Sequence, residues 1–241
     1  VIRLRNPHAI LAALELRPKD VRWIRLPDSA SAASSEAWTR VLARAQTAGV
    51  EIRAKAGANR RSGPERARGS RDGESGRGTP AEAEIREPQP IAPGELLRGA
   101  NGRAILALVG LRDPHNVGAI FRVAGFFGLP GIVLCGSPVP AGAACDIACG
   151  GVESVAFALS AFGAFAKAAR AAGYRVVGTS EHARGALVAG GSVLLALGNE
   201  ETGLGAFEKE CDELAGIAPL GAVTSLNVST AASVLVSQLV R

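Results

Sequence analysis

The pattern of hydrophobic and polar positions divides the chain into three textures. From Val1 to about Arg53, apolar residues recur at helical spacing over Ala9–Leu16 and Ala37–Ala48, and short apolar runs at Val21–Leu26 and Val50–Ile52 predict strands. Gly49 stops the second helix. Between Ile52 and Ile85 there is no Val, Ile, Leu or aromatic residue, and Gly, Ser, Pro and Arg crowd the stretch, so no core can form there. From about Arg103 onward the pattern predicts buried strands at Ala104–Leu111, Gly131–Cys135, Tyr174–Thr179 and Val193–Leu197. It predicts helices at Val117–Phe127, Phe157–Ala172 and Ser229–Val240. Such alternation predicts an α/β fold with a mostly parallel sheet covered on both faces. Ligands of these sheets sit where strands deliver their carboxyl ends to loops. Chemistry is therefore expected after Leu111, after Leu197 and before Ser229.

Composition narrows the classes. At 241 residues, 47% hydrophobic and 20% charged, the chain can bury a sizeable core in one or two domains and is not wholly disordered. No apolar run approaches the roughly 18 to 20 residues that span a bilayer. The Arg-rich start, Val1 to Arg5, is not followed by a signal-type apolar region, so a soluble cytoplasmic protein is expected. Lys+Arg 27 against Asp+Glu 22 leaves a net charge of +5, and Lys occurs only at positions 19, 55, 167 and 209. The excess is therefore guanidinium, which grips phosphate oxygens in a fork. An anionic partner and a plain bias toward Arg, Ala and Gly explain this equally well. Arg60, Arg61, Arg66, Arg68, Arg71 and Arg77 outnumber Glu65, Asp72 and Glu74. That stretch reads as a basic arm able to contact nucleic acid or as a solvated tether. Cys135, Cys145, Cys149 and Cys211 form neither a disulfide framework nor a zinc-ligand pattern, and read as small buried thiols.

Three loops fall at the expected places. In the first, Asn116 reads as the N-cap of a helix, with Arg122 less than two turns on, where an anion would meet both a fork and the helix dipole. His115 beside it is a possible base. In the second, Gly198 permits close backbone approach, Gly203 suits a tight turn, and Glu200 and Glu201 stand between them. In the third, Ser225 and Asn227 alternate with Leu226 and Val228 before an Ala-rich helix, so two polar side chains share one side. Each loop alone is explained by helix capping and turn formation.

Together and in order, Asn116-Val-Gly-Ala-Ile-Phe-Arg122, Gly198-Asn-Glu-Glu-Thr-Gly203-Leu and Ser225-Leu-Asn-Val-Ser-Thr-Ala231 closely resemble the three signature motifs of the SpoU (TrmH-like) RNA ribose methyltransferases of the SPOUT superfamily. The resemblance covers Arg103 to Arg241. It implies an α/β domain with a C-terminal trefoil knot that forms an S-adenosylmethionine pocket, and a homodimer with the active site near the subunit boundary. Knots are otherwise almost absent from proteins, so periodicity alone could not suggest one. Asn6-Pro7-His8-Ala9-Ile10-Leu11-Ala12-Ala13-Leu14 resembles the small substrate-binding domain of the ribosomal-RNA branch, that of the 23S rRNA guanosine-2′-O-methyltransferases. The expected organisation is a small α/β RNA substrate-binding domain over 1–56, a flexible Arg/Gly/Pro-rich linker over 57–98 and a catalytic domain over 99–241.

The resemblance assigns cofactor contacts to Gly198, Ile217 and Leu226, and the reaction centre to Asn116, Arg122, Glu200, Ser225 and Asn227. It implies methyl transfer from S-adenosylmethionine to a ribose 2′-hydroxyl, with no metal. Guanidinium stays protonated, so Arg122 suits phosphate binding and stabilisation of developing alkoxide charge better than proton abstraction. Glu200 and Asn227 would orient Arg122, the ribose or the donor. One departure is Ile217-Ala218-Pro219-Leu220, where many relatives have Ile-Pro-hydrophobic. Ribosomal RNA is favoured over transfer RNA because of the N-terminal match. The alternatives are the same reaction on tRNA and a non-catalytic RNA-binding module of the same fold. No Gly-x-Gly-x-x-Gly follows the first strand of the C-terminal part and no Gly-x-x-x-x-Gly-Lys-Ser/Thr loop occurs, which argues against a dinucleotide oxidoreductase and a phosphate-hydrolysing enzyme.

Overall fold

In a computed structural model that describes residues 1–27, 35–53, 80–183, 185, 187–188 and 190–240, the chain forms two units, Val1–Arg86 and Glu87–Arg241. The six arginines between positions 60 and 77 lie outside the described residues. No helix among the described residues is long and apolar enough to cross a membrane.

In the first unit, β1 (Ile2–Leu4), β2 (Val21–Arg25), β3 (Glu51–Arg53) and β4 (Glu82–Ile85) form a sheet in the order β1-β4-β2-β3. Only β2 and β3 run parallel; β4 is antiparallel to β1 and β2. Helix α1 (Pro7–Leu16) starts on an Asn6 cap with Pro7 in its first turn, and α2 (Glu36–Thr47) on a Ser35 cap. Both bury apolar stripes, among them Ile10, Leu14, Trp38 and Val41, with Ile2, Leu4, Ile24 and Ile85. Apart from Trp23, the buried apolar side chains of the sheet fall on one face because strand side chains alternate. Glu82 faces the other side, 3% exposed, and accepts from Arg25 at 2.9 Å and Arg3 at 3.4 Å.

The second unit begins with α3 (Pro93–Ala100) and continues through β5 (Ile105–Val109), α4 (Pro114–Phe126) and β6 (Gly131–Cys135). The short helices α5 (Ala143–Ala148) and α6 (Gly151–Ser154) lead into β7 (Ala156–Leu159), α7 (Phe162–Ala171) and β8 (Arg175–Thr179). Then follow β9 (Val193–Leu197), β10 (Glu213–Ala215) and α8 (Val228–Leu239). The six strands are all parallel, in the order β10-β8-β9-β5-β6-β7. Strands β5, β6 and β9 are buried at every position, as a sheet covered on both faces requires. Leu96, Phe162 and Phe165 pack with Ile105, Val133, Val176 and Leu194, and Phe121 meets Phe157 edge to face at 6.0 Å.

Four features differ from the sequence expectation. Ala156–Leu159, read as the start of a helix, is an edge strand; a four-residue apolar run carries no period that separates the two. Glu82–Ile85, read as linker, is a strand whose Ala83 and Ile85 point inward while Glu82 and Glu84 meet arginines of neighbouring strands. Pro93–Ala100, read as linker up to position 98, buries Leu96 in the second core, and the two units divide at Arg86/Glu87. Finally, α4 starts at Pro114 on an Asp113 cap, one of the strongest helix-start pairs available, and Asn116 lies inside its first turn.

The four cysteines are free, Cys135 and Cys145 buried, and burial pushes the Cys135 thiol up to about 12. Asp212, ahead of β10, accepts from the Val176 N–H at 2.7 Å and from Arg170 at 2.7 Å. Burial pushes its carboxyl up, but the Val176 N–H and the Arg170 guanidinium outweigh this and hold it below the ordinary 3.8.

Two outcomes are expected. Because its pKa is depressed on folding, Asp212 contributes stability that is present above the unfolded value and lost as pH falls through the folded one. Chemical denaturation at a series of acidic pH values should therefore show a shallower loss for Asp212→Asn than for the parent. A Cβ on Gly118 in α4 would stand 2.4 Å from the Ala144 carbonyl oxygen, a backbone atom that cannot step aside, whereas a Cβ on Gly99 in α3 meets nothing within 4 Å. Gly118→Ala should lower unfolding free energy by about 1 to 3 kcal/mol in urea titration, and Gly99→Ala should leave it equal or raise it by up to about 1 kcal/mol.

Candidate active site

The sheet order decides where the loops meet. From β5 the chain proceeds through β6 to β7, then crosses to β8 and β9 on the other side, so the order switches between the adjacent strands β5 and β9. With all strands parallel, the loops after β5 and β9 leave the same end side by side, and the segment after β10 leaves there too.

The loop after β9 is tied into one shape. Asn199 and Gly203 exchange backbone hydrogen bonds at 2.9 Å in both directions. The Asn199 side chain donates to the Gly110 carbonyl at 2.8 Å, and its oxygen accepts the Glu201 and Thr202 N–H groups at 2.9 and 3.4 Å. Gly203 closes the turn at φ +59, a conformation that side chains resist. Gly198 is excluded from bearing a side chain for another reason: a Cβ there would stand 2.3 Å from the Gly203 carbonyl carbon. The loop is thereby pinned to the end of β5 and presents Glu200.

Three distant segments then join through amides. Asn116, 7% exposed, donates its Nδ2 to Glu200 Oε1, and its Oδ1 accepts from Asn227 Nδ2 at 3.1 Å. Asn227 caps α8, its Oδ1 accepting the Ser229 N–H at 2.8 Å and the Ser229 hydroxyl at 2.6 Å. The direction of this chain is forced: a carboxylate only accepts, so Asn116 must offer its amide N–H to Glu200 and keep its oxygen for Asn227. The first turn of α4, the loop after β9 and the cap of α8 are thus one hydrogen-bonded unit.

Beside it lies a cavity of about 840 Å³, lined among others by Gly198, Glu200, Ile217, Ser225, Leu226 and Asn227. That size suits a small organic ligand. Leu220, Val223 and Leu226 line it while remaining exposed, so apolar surface is available for a ligand to cover.

Of the residues expected at the site, the structure gathers Asn116, Glu200 and Asn227 by hydrogen bonds and places Gly198, Ile217, Ser225 and Leu226 on the cavity wall. Arg122 is different. It is exposed on the third turn of α4 and does not line the cavity, because the helix begins two residues before Asn116 rather than just after it. His115 is exposed, its backbone N–H held by Asp113. Sequence reasoning missed Asn199 and Ser229 although both lie within the quoted motifs; their roles are backbone tethering and closure of the amide chain, which no residue type announces. It also missed Thr179, the last residue of β8, and Ser180 and His182 just after it, which line the cavity but carry no motif character.

Comparison with known proteins places the chain among relatives. Residues 103–237 match the model of the SpoU rRNA Methylase family. The chain is 33% identical over 154 residues to the 23S rRNA (guanosine-2'-O-)-methyltransferase RlmB of Shewanella oneidensis, covering 61% of this chain and 63% of that protein. It is 36% identical over 146 residues to the RlmB of a Burkholderia species, covering 57% and 58%. The match thus spans less than two thirds of either relative. Among solved structures, the SpoU methyltransferase AviRb of Streptomyces viridochromogenes superposes with a TM-score of 0.69 at 22% identity, over 99% of this chain and 88% of that one. An AdoMet-bound rRNA methyltransferase from Sinorhizobium meliloti superposes with a TM-score of 0.64 at 22% identity, over 98% and 85%. At that identity the superpositions establish a shared fold.

If Asn199 is what pins the loop, Asn199→Ala should cost about 1 to 2 kcal/mol, since it strands the Gly110 carbonyl and the Glu201 N–H. Hydrogen exchange should speed up at the amides of Glu201 and Gly203 while the amides of β9 stay protected. Unchanged exchange in the loop would show that the strand ends alone hold it.

Proposed function

The chain belongs to the SpoU rRNA Methylase family, and from that premise we propose that it transfers a methyl group from S-adenosylmethionine to a ribose 2′-hydroxyl of structured RNA, with ribosomal RNA as the substrate class. The observation that carries this reading is the Glu200–Asn116–Asn227 chain standing beside a cavity of ligand size. The relatives named as 23S rRNA (guanosine-2'-O-)-methyltransferases support the choice of RNA. The same reading makes the first unit an RNA-binding domain, threads the C-terminal segment as the family's trefoil knot, makes the protein a homodimer and sets it in the cytoplasm.

The residues present fit the cofactor. Ile217 and Leu226 offer apolar surface to a purine, and Gly198 brings backbone to the cavity wall, so these three would hold S-adenosylmethionine. When bound, it supplies a methyl group activated by a sulfonium. The work of the chain is positioning, because an in-line displacement needs the sugar oxygen held in a narrow range of geometry. Asn116 fixes the Glu200 carboxylate, which is left free to accept from the ribose or orient a guanidinium. Asn227 spends both ends of its amide on Asn116 and Ser229, and so sets where the α8 cap and the preceding Ser225–Leu226 segment stand.

Arg122 binds the adjoining phosphate and stabilises developing alkoxide charge. It lies six residues beyond Asn116, about 9 Å along α4 and about 120° around it. In the homodimer of this reading, with the cavity near the subunit boundary, Arg122 of one copy serves the cavity of the other.

Arg122→Ala should reduce methyl transfer by about a hundredfold to a thousandfold. Its S-adenosylmethionine affinity, measured by calorimetry, should stay within about twofold, since only transition-state binding is lost. Equal losses of rate and affinity would contradict the assigned role. Purified ribosomal and transfer RNA assayed in parallel with labelled donor identify the substrate. Mixing Arg122→Ala with Asn116→Ala subunits should restore activity, because one composite site then keeps both residues; no recovery would place Arg122 at its own copy's cavity.

A further inference from the structure

Among the described residues of the first unit, α1 and α2 pack on the apolar face of the sheet, and the other face carries a cluster of Trp23, arginines and carboxylates. Trp23 stands at its centre, on β2, beside Glu84 of β4 and Glu51 of β3 in the register of the sheet. Three guanidinium groups converge on its ring: Arg53 at 4.4 Å from the centroid, Arg25 at 5.1 Å and Arg3 at 5.7 Å. The indole is buried, with these three guanidinium groups over its ring. Each guanidinium is held by carboxylate: Arg3 and Arg25 share Glu82, and Arg53 is gripped by both oxygens of Glu51 at 2.9 and 3.4 Å. The side chains of Arg3 and Arg53 are nonetheless 60% and 44% exposed. Arg25 Nε is buried and has no hydrogen-bond partner among the described residues.

An arginine stacked on an aromatic ring has a second planar face, and guanidinium planes accept nucleobases as aromatic rings do. Here the guanidinium groups are held over the indole and bound by carboxylates, so little rotamer entropy is left to lose when a flat partner arrives. The carboxylates also cancel most of the positive charge. A surface built for phosphates would leave its guanidinium groups unpaired; this one keeps their planes and gives up their charge. We propose that this sheet face is a stacking platform for unpaired RNA bases, received on the exposed guanidinium groups of Arg3 and Arg53. The RNA substrate class rests on the proposed function, whereas the preference for planar bases over phosphate rests on the cluster itself.

The test uses the full chain. Its two tryptophans are Trp23 and Trp38, so in Trp38→Phe the intrinsic emission reports on Trp23 alone. Titration with a short oligoadenylate should quench that emission, and an abasic ribose-phosphate oligomer of the same length should not. In the otherwise unaltered chain, Arg53→Ala should weaken binding of labelled oligoadenylate by about tenfold, the scale of one lost stacking partner. This second measurement stands even where Trp38→Phe fails to fold. Unchanged Trp23 emission, equal binding of the abasic oligomer, equal quenching by polyglutamate, or an Arg53→Ala affinity equal to the parent's would each overturn the platform. Methyl transfer to RNA that persists through such a failure leaves the enzymatic reading intact. Quenching without methyl transfer to any RNA leaves the platform standing and removes the enzymatic reading.

Discussion

A carboxylate can only accept hydrogen bonds, and at Glu200 that restriction sets the orientation of everything around it. It dictates which end of the Asn116 amide turns toward it, hence which end faces Asn227, hence which atom of Asn227 is left to cap the last helix. Segments separated by 84 and 111 residues are thereby locked in one arrangement. Because Asn116 is buried, an unmade bond here would leave a polar group stranded, so the chain of amides is an all-or-none feature of the folded site. Its cost is met in folding, before any ligand arrives, which is what a preorganised site requires.

That chain is possible only because the sheet brings its three contributors to one end. Placing β9 next to β5 sets the two loops side by side, and parallel strands ensure that both emerge at the same edge. Close packing then holds the positions: Gly198 has no room for a side chain, and Gly118 lets α4 approach the backbone of α5. The core residues contribute to function at one remove, by fixing the end of each strand.

The two sheets of the molecule answer different physical demands. The three inner strands of the six-stranded sheet, β9, β5 and β6, are buried at every position, and the candidate site lies in the loops at the carboxyl edge. The four-stranded sheet has one apolar face against α1 and α2, while the other bears Trp23 under arginines paired with Glu82 and Glu51. A cavity of about 840 Å³ suits a small ligand in the first case; guanidinium groups over an indole suit a planar partner in the second.

Much of this was legible in the chain. The strands Gly131–Cys135 and Val193–Leu197 stand where the apolar runs put them, since a strand buried on both faces has to be apolar throughout. The three motifs also pointed to the loops that hydrogen bonds join in the structure, because capping residues and tight-turn glycines are local necessities. Short elements were not legible: Ala156–Leu159 and Glu82–Ile85 become strands by pairing with distant partners, and no window of four residues contains that information. Nor could spacing reveal that Asn116 sits inside its helix, that Arg122 lies away from the cavity, or that three arginines share one indole. Local sequence determines which conformations a segment can hold, whereas the strand order decides which segments become neighbours, and a hydrogen-bonded site is a property of neighbours.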